Sequence, residues 1–163
     1  MSAQVIKIRN SVERADVERI RIITASTGFF NPEEVDVAVE LIEERLAKGP
    51  RSGYHFLFAE EKGRTLGYTC YGPIAGTRTS FDLYWIAVAA EFRGKGLGTR
   101  LLEAAESAIR SLGGTRVYIE TSSRPLYEST RAFYIARAYG SVAVLDDFYA
   151  PGDAKVIYLK VLR

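Results

Sequence analysis

The spacing of apolar residues along the chain predicts a protein that mixes strands and helices. Strands are expected where apolar and polar residues alternate or where β-branched and aromatic residues cluster, and helices where apolar residues recur every three or four positions. Strands are expected over residues 5–9, 54–60, 65–71, 81–89, 116–121, 142–145 and 155–161. Helices are expected over residues 13–26, 32–48, 97–112 and 127–138. This order, β-α-α-β-β-β-α-β-α-β-β, predicts an α/β fold in which helices cover both faces of a central mixed sheet.

Local signals mark the ends of several of these elements. Asn31 is a good N-cap for the second helix, Pro32 takes its first position, and Glu34 completes a capping box. Residues 61–64 separate two strand-forming runs and predict a hairpin. The acidic segment 146–153 is expected to be a loop between the last two strands.

Composition excludes several classes of protein. The chain has 163 residues, with 22 basic and 20 acidic side chains and a net charge of +2. This length predicts one domain over residues 1–163, and the near-neutral charge removes the simplest argument for a nucleic-acid partner. One cysteine, Cys70, and one histidine, His55, are too few for an internal disulfide or a zinc site, so we expect no metal. A nucleophilic dyad or triad would need His55, and nothing around it supports that chemistry.

The chain shows no targeting or membrane signal. Its first ten residues lack the apolar core of a signal peptide. The longest strongly apolar run, residues 83–90, is too short to cross a bilayer. We therefore expect a soluble cytoplasmic protein without a membrane partner.

The strongest chemical signal is a glycine-rich loop between a buried strand and an amphipathic helix. Residues 93–98 read RGKGLG, directly after the nearly continuous apolar run of residues 81–89. Three glycines let the backbone turn sharply, and the first turn of the following helix offers unpaired N–H groups to a phosphate. The loop is neither a P-loop nor a dinucleotide fingerprint, since Thr99 stands where the latter needs glycine. The alternative is a tight turn with surface basic residues.

With its neighbours, this loop resembles the GNAT N-acetyltransferase superfamily. The hexapeptide matches the R/Q-x-x-G-x-G/A signature of that family. The similarity extends to the segments LYWIAV before the loop and LLEAAESAIRSLG, RVYIETSS and STRAFYIARAYG after it. It covers residues 67–140 well and the N-terminal helices loosely. The resemblance implies a GNAT-like fold and an acetyl-CoA-dependent N-acetyltransferase.

The resemblance also implies where acetyl-CoA, the co-substrate, is bound. Backbone N–H groups of the glycine loop would hold the pyrophosphate, the preceding strand would pair with the pantetheine arm, and the region after the next strand would lie beside the pantetheine and adenine. Arg131 would reach a phosphate there or be an ordinary solvated helix arginine. The donor-binding candidates are Ile86, Ala87, Val88, Arg93, Gly94, Lys95, Gly96, Leu97, Gly98, Thr99, Arg100, Ser123, Tyr127 and Arg131.

Three residues are candidates for the chemistry. By resemblance, Tyr134 is the acid that protonates the leaving thiolate, a transfer from a phenol of pKa ~10 to a thiolate of ~8.5 that is uphill by about 2 kcal/mol. The alternative for Tyr134 is core packing. The base is Asp82 or Glu120, directly or through water. The alternatives are a strand-end residue in solvent or capping the loop for Asp82, and an ion pair with a neighbouring arginine for Glu120. By alternation, Asp82 is expected on the strand face of Tyr84, Ile86 and Val88.

The acceptor is less well marked. A primary amine of a small molecule or peptide is expected, and a homodimer through the last strands is a further expectation. Alternative functions are a non-catalytic acyl-CoA-binding or sensing module and transfer of another acyl group or to a hydroxyl. Acidic and aromatic residues would suit a cationic acceptor, the alternative being ordinary loop solubility. These residues are Asp146, Asp147, Asp153, Phe29, Phe30, Tyr71 and Tyr149.

Overall fold

A computed structural model describes residues 5–163 and contains one seven-stranded sheet in the order β1-β2-β3-β4-β5-β7-β6. Residues 1–4, which the expected domain includes, lie outside the described part. The strands are β1 (Lys7–Arg9), β2 (His55–Glu61), β3 (Arg64–Pro73), β4 (Ser80–Val88), β5 (Arg116–Ser122), β6 (Gly140–Ala150) and β7 (Asp153–Val161). The helices are α1 (Asp16–Ser26), α2 (Pro32–Lys48), α3 (Leu97–Ser111) and α4 (Glu128–Ala136). This order of strands and helices confirms the prediction from the sequence.

Two apolar clusters lie on opposite faces of the sheet. On one face, Ile20 and Ile23 of α1 and Ile42 of α2 pack with Phe58 and Tyr68 of the sheet. The other cluster joins α3 and α4 to the sheet and includes Phe81, Leu83, Leu101, Ile109, Val117, Ile119 and Tyr134. The expected cover of helices on both faces is therefore confirmed. Among residues 5–163, no helix has the length and apolar character that crossing a membrane requires.

A β-bulge in β4 separates this strand from β5. Cys70 of β3 pairs with Trp85 and Tyr71 pairs with Leu83, which leaves Tyr84 as the extra residue. The parallel pairing of β4 with β5 covers only Ser80–Asp82 and Arg116–Tyr118. A bulge bends its strand and increases the local twist, so the two strands diverge beyond Asp82. β4 and β5 thus open into a wedge in the middle of the sheet.

The bulge also changes which face the β4 side chains occupy. Before it, Phe81 and Leu83 pack in the cluster with α3; after it, Ile86 and Val88 pack there, while Trp85 joins the opposite cluster. One inserted residue shifts the alternation by one position. The expectation that Asp82 shares a face with Ile86 and Val88 is therefore wrong, because strict alternation does not continue through Tyr84.

The end of the chain differs from its predicted pattern. β6 continues to Ala150, so the acidic residues expected in a loop lie within a strand, and the turn to β7 takes only Pro151 and Gly152. The strand continues through an irregularity: its register with β7 shifts between Leu145 and Ala150, around Asp147, whose φ is 55°. Asp147 Oδ1 also accepts a hydrogen bond of 2.7 Å from the Gly152 amide, which stabilises the turn.

Two smaller features of the helices complete the comparison with the pattern. Asn31 Oδ1 accepts a hydrogen bond of 2.8 Å from the Glu34 amide, which confirms the predicted N-cap of α2. Leu112, the last residue of the third predicted helix, follows the end of α3 and is 54% exposed.

A buried carboxylate anchors α1 to the edge of the sheet. Asp16 is fully inaccessible and accepts two hydrogen bonds from Arg9, of 2.8 and 2.7 Å, one of 2.8 Å from the Glu13 amide and one of 2.9 Å from Arg19. Arg9 also binds Glu60 at 2.8 Å. Burial raises the pKa of Asp16, but these bonds outweigh burial and hold the pKa below its ordinary value.

Replacing this carboxylate should destabilise the protein in a pH-dependent way. Asp16→Asn should lower the free energy of unfolding at pH 7 by about 3–5 kcal/mol, because it removes the buried carboxylate that pairs with Arg9 and Arg19 and leaves Arg9 with Glu60 alone. A carboxylate with a lowered native pKa stabilises the fold above its unfolded pKa of about 3.9. This stabilisation is lost as the pH falls through the native pKa. The difference in the free energy of unfolding between wild type and variant, measured by urea denaturation, should therefore shrink below about pH 4. Equal stabilities at pH 7 would contradict this role.

Candidate active site

The wedge between β4 and β5 opens into a cleft of about 850 Å³. β4 and β5 form two of its walls, and the N-terminus of α3 and one side of α4 form another. The segment between α1 and α2, the start of α2, and Tyr149 and Asp153 at the β6–β7 turn complete the lining. Beyond Asp82, no described strand pairs with the β5 side of β4. Its backbone polar groups on that side are therefore open to a ligand that lies in the cleft.

The glycine loop lies at one end of this cleft. Gly94 and Gly96 both have a φ of 76°, a left-handed conformation that side chains rarely adopt. α3 begins directly afterwards at Leu97, and the free N–H groups of its first turn lie beside the cleft. Gly98 packs closely on α4, since a Cβ there would lie 3.3 Å from the Phe133 ring. The geometry fits an anion at the helix N-terminus.

A basic residue that the sequence analysis did not select, Arg137, supports this anion site. Its Nε and Nη2 donate to Thr99 Oγ1 at 2.9 and 2.5 Å, and its guanidinium carbon lies 3.7 Å from the centre of the Phe133 ring. Arg137 lines the cleft beside the first turn of α3. Its position one turn after Phe133 was visible in the sequence, but the contact with Thr99 was not.

Other donor-binding candidates lie in two kinds of position. Ile86, Val88, Arg93, Gly94, Gly96, Leu97, Gly98, Thr99 and Tyr127 line the cleft. Ala87 faces the opposite apolar cluster, the Lys95 ammonium lies 5.3 Å from the Phe92 ring, and Arg100 donates to the Ile6 carbonyl at 3.1 Å. Those three positions place the side chains outside the cleft wall.

Two donor-binding candidates that follow β5, Ser123 and Arg131, form hydrogen bonds that join secondary-structure elements. Arg131 Nη1 donates to the carbonyl oxygens of Ser122 and Arg124, at 2.7 and 3.0 Å, and so joins α4 to the end of β5. Ser123 Oγ accepts from the Ala154 amide at 2.8 Å. Contact of either side chain with a phosphate stays a prediction.

Tyr134 combines burial with an unpaired hydroxyl. The residue is 4% exposed, packs edge-on against Phe133 and Tyr139, and lines the cleft. Within residues 5–163 its hydroxyl makes no hydrogen bond, yet it is not among the oxygens that are sealed from solvent. Burial raises the pKa of Tyr134, so the phenol stays protonated at neutral pH. It is a neutral proton donor available to a group in the cleft.

The two carboxylate candidates occupy different places. Glu120 lines the main cleft and forms a 2.9 Å ion pair with Lys155. Asp82 lies in a separate hollow of about 80 Å³, which it shares with Leu83, Tyr84 and Glu120. Burial and the nearby charge of Glu120 raise the pKa of Asp82, against the opposing effect of Lys155. Of the two, Glu120 is the one that a molecule in the main cleft can touch.

The segment between α1 and α2 closes the cleft. We call residues 27–31 the strap. Phe30 packs edge-on against Trp85 of β4, with 5.9 Å between ring centres. Phe29 packs on Tyr127, 5.8 Å away, and its carbonyl accepts a 2.9 Å hydrogen bond from the Tyr127 hydroxyl. Arg93 donates to the Thr27 carbonyl. The strap therefore contacts β4, the glycine loop and the turn after β5.

The acidic and aromatic residues expected near an acceptor fall into two groups, one that lines the cleft and one that lies outside it. Four of them, Phe29, Phe30, Tyr149 and Asp153, line the cleft. Burial together with the charges of Glu120 and Asp153 raises the pKa of Tyr149. Asp153 also pairs with Arg124 at 3.3 Å. The remaining expected residues lie elsewhere: Tyr71 in the core, and Asp146 and Asp147 exposed on β6.

Comparison with known proteins gives consistent matches. The model of the acetyltransferase (GNAT) family matches residues 19–134. A solved structure from Desulfovibrio desulfuricans, described as a GNAT-family acetyltransferase of putative assignment, superposes with a TM-score of 0.96 at 43% identity, over 98% of this chain and 100% of that chain. No curated protein matches the sequence.

More distant solved structures share the fold. An aminoglycoside 6′-N-acetyltransferase complexed with coenzyme A has a TM-score of 0.75 at 19% identity, over 96% of each chain. The ribosomal-protein-S18-alanine N-acetyltransferase of Escherichia coli has a TM-score of 0.75 at 15% identity, over 97% of this chain and 94% of that chain.

Proposed function

This chain belongs to the acetyltransferase (GNAT) family, and we propose that it transfers the acetyl group of acetyl-CoA to a primary amine of a small molecule or peptide. The observation that carries the proposal is one cleft with an anion site at the glycine loop and an unpaired buried phenol, Tyr134, in its wall. The first suits the pyrophosphate of a nucleotide donor, and the second suits a leaving thiolate.

The donor fits the cleft through its two polar parts. The pyrophosphate would accept hydrogen bonds from the N–H groups between Gly94 and Thr99, and Arg137 adds positive charge there. The pantetheine arm, which carries amide groups, would pair with the open backbone edge of β4 at Ile86 and Val88. That edge is free because the bulge at Tyr84 ends the pairing with β5.

Glu120 is the proposed base. An alkylammonium acceptor has a pKa near 10.4 and must lose a proton before its nitrogen can attack the thioester carbonyl. Glu120 lies in the cleft wall and can take that proton directly or through one water. The attack forms the carbon–nitrogen bond in a ternary complex and gives a tetrahedral intermediate. Asp82 lies in the separate hollow, where burial and the charge of Glu120 raise its pKa, and it is not assigned the proton transfer.

Tyr134 is the proposed acid. Collapse of the intermediate breaks the carbon–sulfur bond, and the departing thiolate takes the phenolic proton. Burial raises the pKa of Tyr134, which alone would make the donor weaker. A thiolate that forms in the same buried place is also short of solvent, so its conjugate pKa rises for the same reason. The difference of about 2 kcal/mol between the free groups therefore need not grow.

The acceptor class rests on the cleft and on the fold relatives. The relatives named above act on an aminoglycoside and on a ribosomal-protein alanine, both of which offer an amine. In this chain, Glu34, Glu120 and Asp153 line the cleft with Tyr84 and Tyr149. Carboxylates and aromatic rings suit a positively charged amine.

The proposed function is tested by release of free CoA thiol. Purified enzyme with acetyl-CoA and a panel of amines (aminoglycosides, diamines, and peptides with free N-termini) should release thiol faster with at least one amine than without any. Hydroxyl compounds of matched shape and longer acyl-CoA donors serve as controls. Binding of acetyl-CoA without acceleration by any amine, or a faster rate with hydroxyl acceptors, would contradict the proposal.

Removal of the Tyr134 hydroxyl should slow turnover without weakening donor binding. Tyr134→Phe should lower kcat about 100-fold or more, the usual scale for a general acid, while KM for acetyl-CoA stays within about threefold. The matched control is Tyr139→Phe, which removes the hydroxyl of the ring packed 5.6 Å away in the core. Equal effects of the two substitutions would show that Tyr134 serves packing alone.

The two carboxylates are separated by a pair of neutral replacements. Glu120→Gln should lower kcat/KM about 10- to 100-fold, since the amide cannot take the proton from the acceptor nitrogen. Asp82→Asn should change kcat/KM by about threefold or less, because that carboxylate lies outside the main cleft. A larger loss in Asp82→Asn than in Glu120→Gln would identify Asp82 as the base.

A further inference from the structure

We infer that Arg93 is a positioning residue: its side chain holds the strap over the acceptor half of the cleft instead of binding the donor pyrophosphate. This inference rests on the proposed function, which assigns one half of the cleft to the donor and the other half to the acceptor. The donor half is the glycine loop and the free edge of β4. The acceptor half is the part enclosed by the strap, Glu120 and Tyr149.

The Arg93 side chain is committed to the strap. Its Nη2 donates to the Thr27 carbonyl, and its guanidinium carbon lies 5.3 Å from the centre of the Phe29 ring. Thr27 is itself buried and fixed to α1 by a 2.8 Å hydrogen bond from its hydroxyl to the Thr24 carbonyl. Movement of the guanidinium to a phosphate would give up both the hydrogen bond and the contact with the ring.

Tyr127 holds the strap from the opposite side. Its hydroxyl donates to the Phe29 carbonyl at 2.9 Å, and its ring packs on that of Phe29. Tyr127 follows β5, whereas Arg93 follows β4. Phe29 therefore joins the two strands across the wedge, at the place where they no longer pair with each other.

Another residue supplies the charge that Arg93 would otherwise provide. Arg137 lies on Thr99 at the first turn of α3 and lines the cleft. The backbone of the glycine loop offers its N–H groups whatever the residue 93 side chain does. Pyrophosphate recognition therefore does not require the Arg93 guanidinium, and the backbone of Arg93 can belong to the donor loop while its side chain belongs to the strap.

The one tryptophan of the chain reports on the strap directly. Trp85 packs edge-on against Phe30, and its indole N–H is fixed at 2.8 Å by the Tyr68 hydroxyl. Loosening of the strap moves Phe30 and exposes one side of the indole. Fluorescence of the unliganded protein therefore measures the tether without any substrate.

The experiment compares Arg93→Gln with Lys95→Gln, which removes the same charge from the same loop but leaves the strap untouched. Acrylamide quenching of Trp85 in the free protein should rise by about half or more in Arg93→Gln, as for a locally opened segment, and should not change in Lys95→Gln. The Kd for acetyl-CoA should rise about threefold or less in both variants, the scale of an exposed charge. KM for the best amine should rise about tenfold only in Arg93→Gln.

S-acetylpantetheine, which lacks the pyrophosphate, separates the two roles of Arg93. An Arg93→Gln variant that binds acetyl-CoA more than about tenfold more weakly, but S-acetylpantetheine as well as wild type does, would overturn the inference and make Arg93 a phosphate ligand. Unchanged Trp85 quenching would also overturn it. If wild type fails to bind acetyl-CoA, the proposed function fails, and quenching in the free protein still decides whether Arg93 tethers the strap.

Discussion

The single extra residue at Tyr84 is the constraint on which the site depends. By breaking the register of β3 with β4, it turns β4 away from β5 after three paired residues. A continuous sheet would bury this backbone in hydrogen bonds between strands. The bulge instead leaves one edge of β4 free inside the protein, next to a helix N-terminus. The proposed donor site, the positions of both carboxylates and the need for a strap all follow from that opening.

An opening inside a sheet has to be closed on its other sides. α3 and α4 pack on each other through Gly98 and Phe133 and form the floor beside Tyr134. The strap crosses the top, held by Arg93 and Tyr127. α1 is fixed to the sheet edge by the buried Asp16–Arg9 pair and leads directly into the strap. The packing of α1 on the edge of the sheet thus sets the position of the strap, and with it the shape of the proposed acceptor half.

Local patterns predicted what depends on neighbouring residues in the chain. The N-cap at Asn31, the glycine loop and the order of elements follow from spacing and conformational preference. The face of Asp82 and the extent of β6 were predicted wrongly, because each depends on a bulge, and bulges are set by the partner strand. Contacts of Arg137 with Thr99 and of Arg93 with Thr27 join residues 38 and 66 positions apart, so no periodicity could show them.

A crystal structure of the enzyme with acetyl-CoA would test most directly whether the parting of β4 and β5 creates the active site. In that structure the pantetheine amides should pair with the backbone of Ile86 and Val88, and the pyrophosphate should lie on the N–H groups of residues 94–99. The thioester sulfur should lie within hydrogen-bond reach of the Tyr134 hydroxyl. Acetyl-CoA bound outside the wedge, or with its sulfur remote from Tyr134, would show that the parting of β4 and β5 does not create the active site.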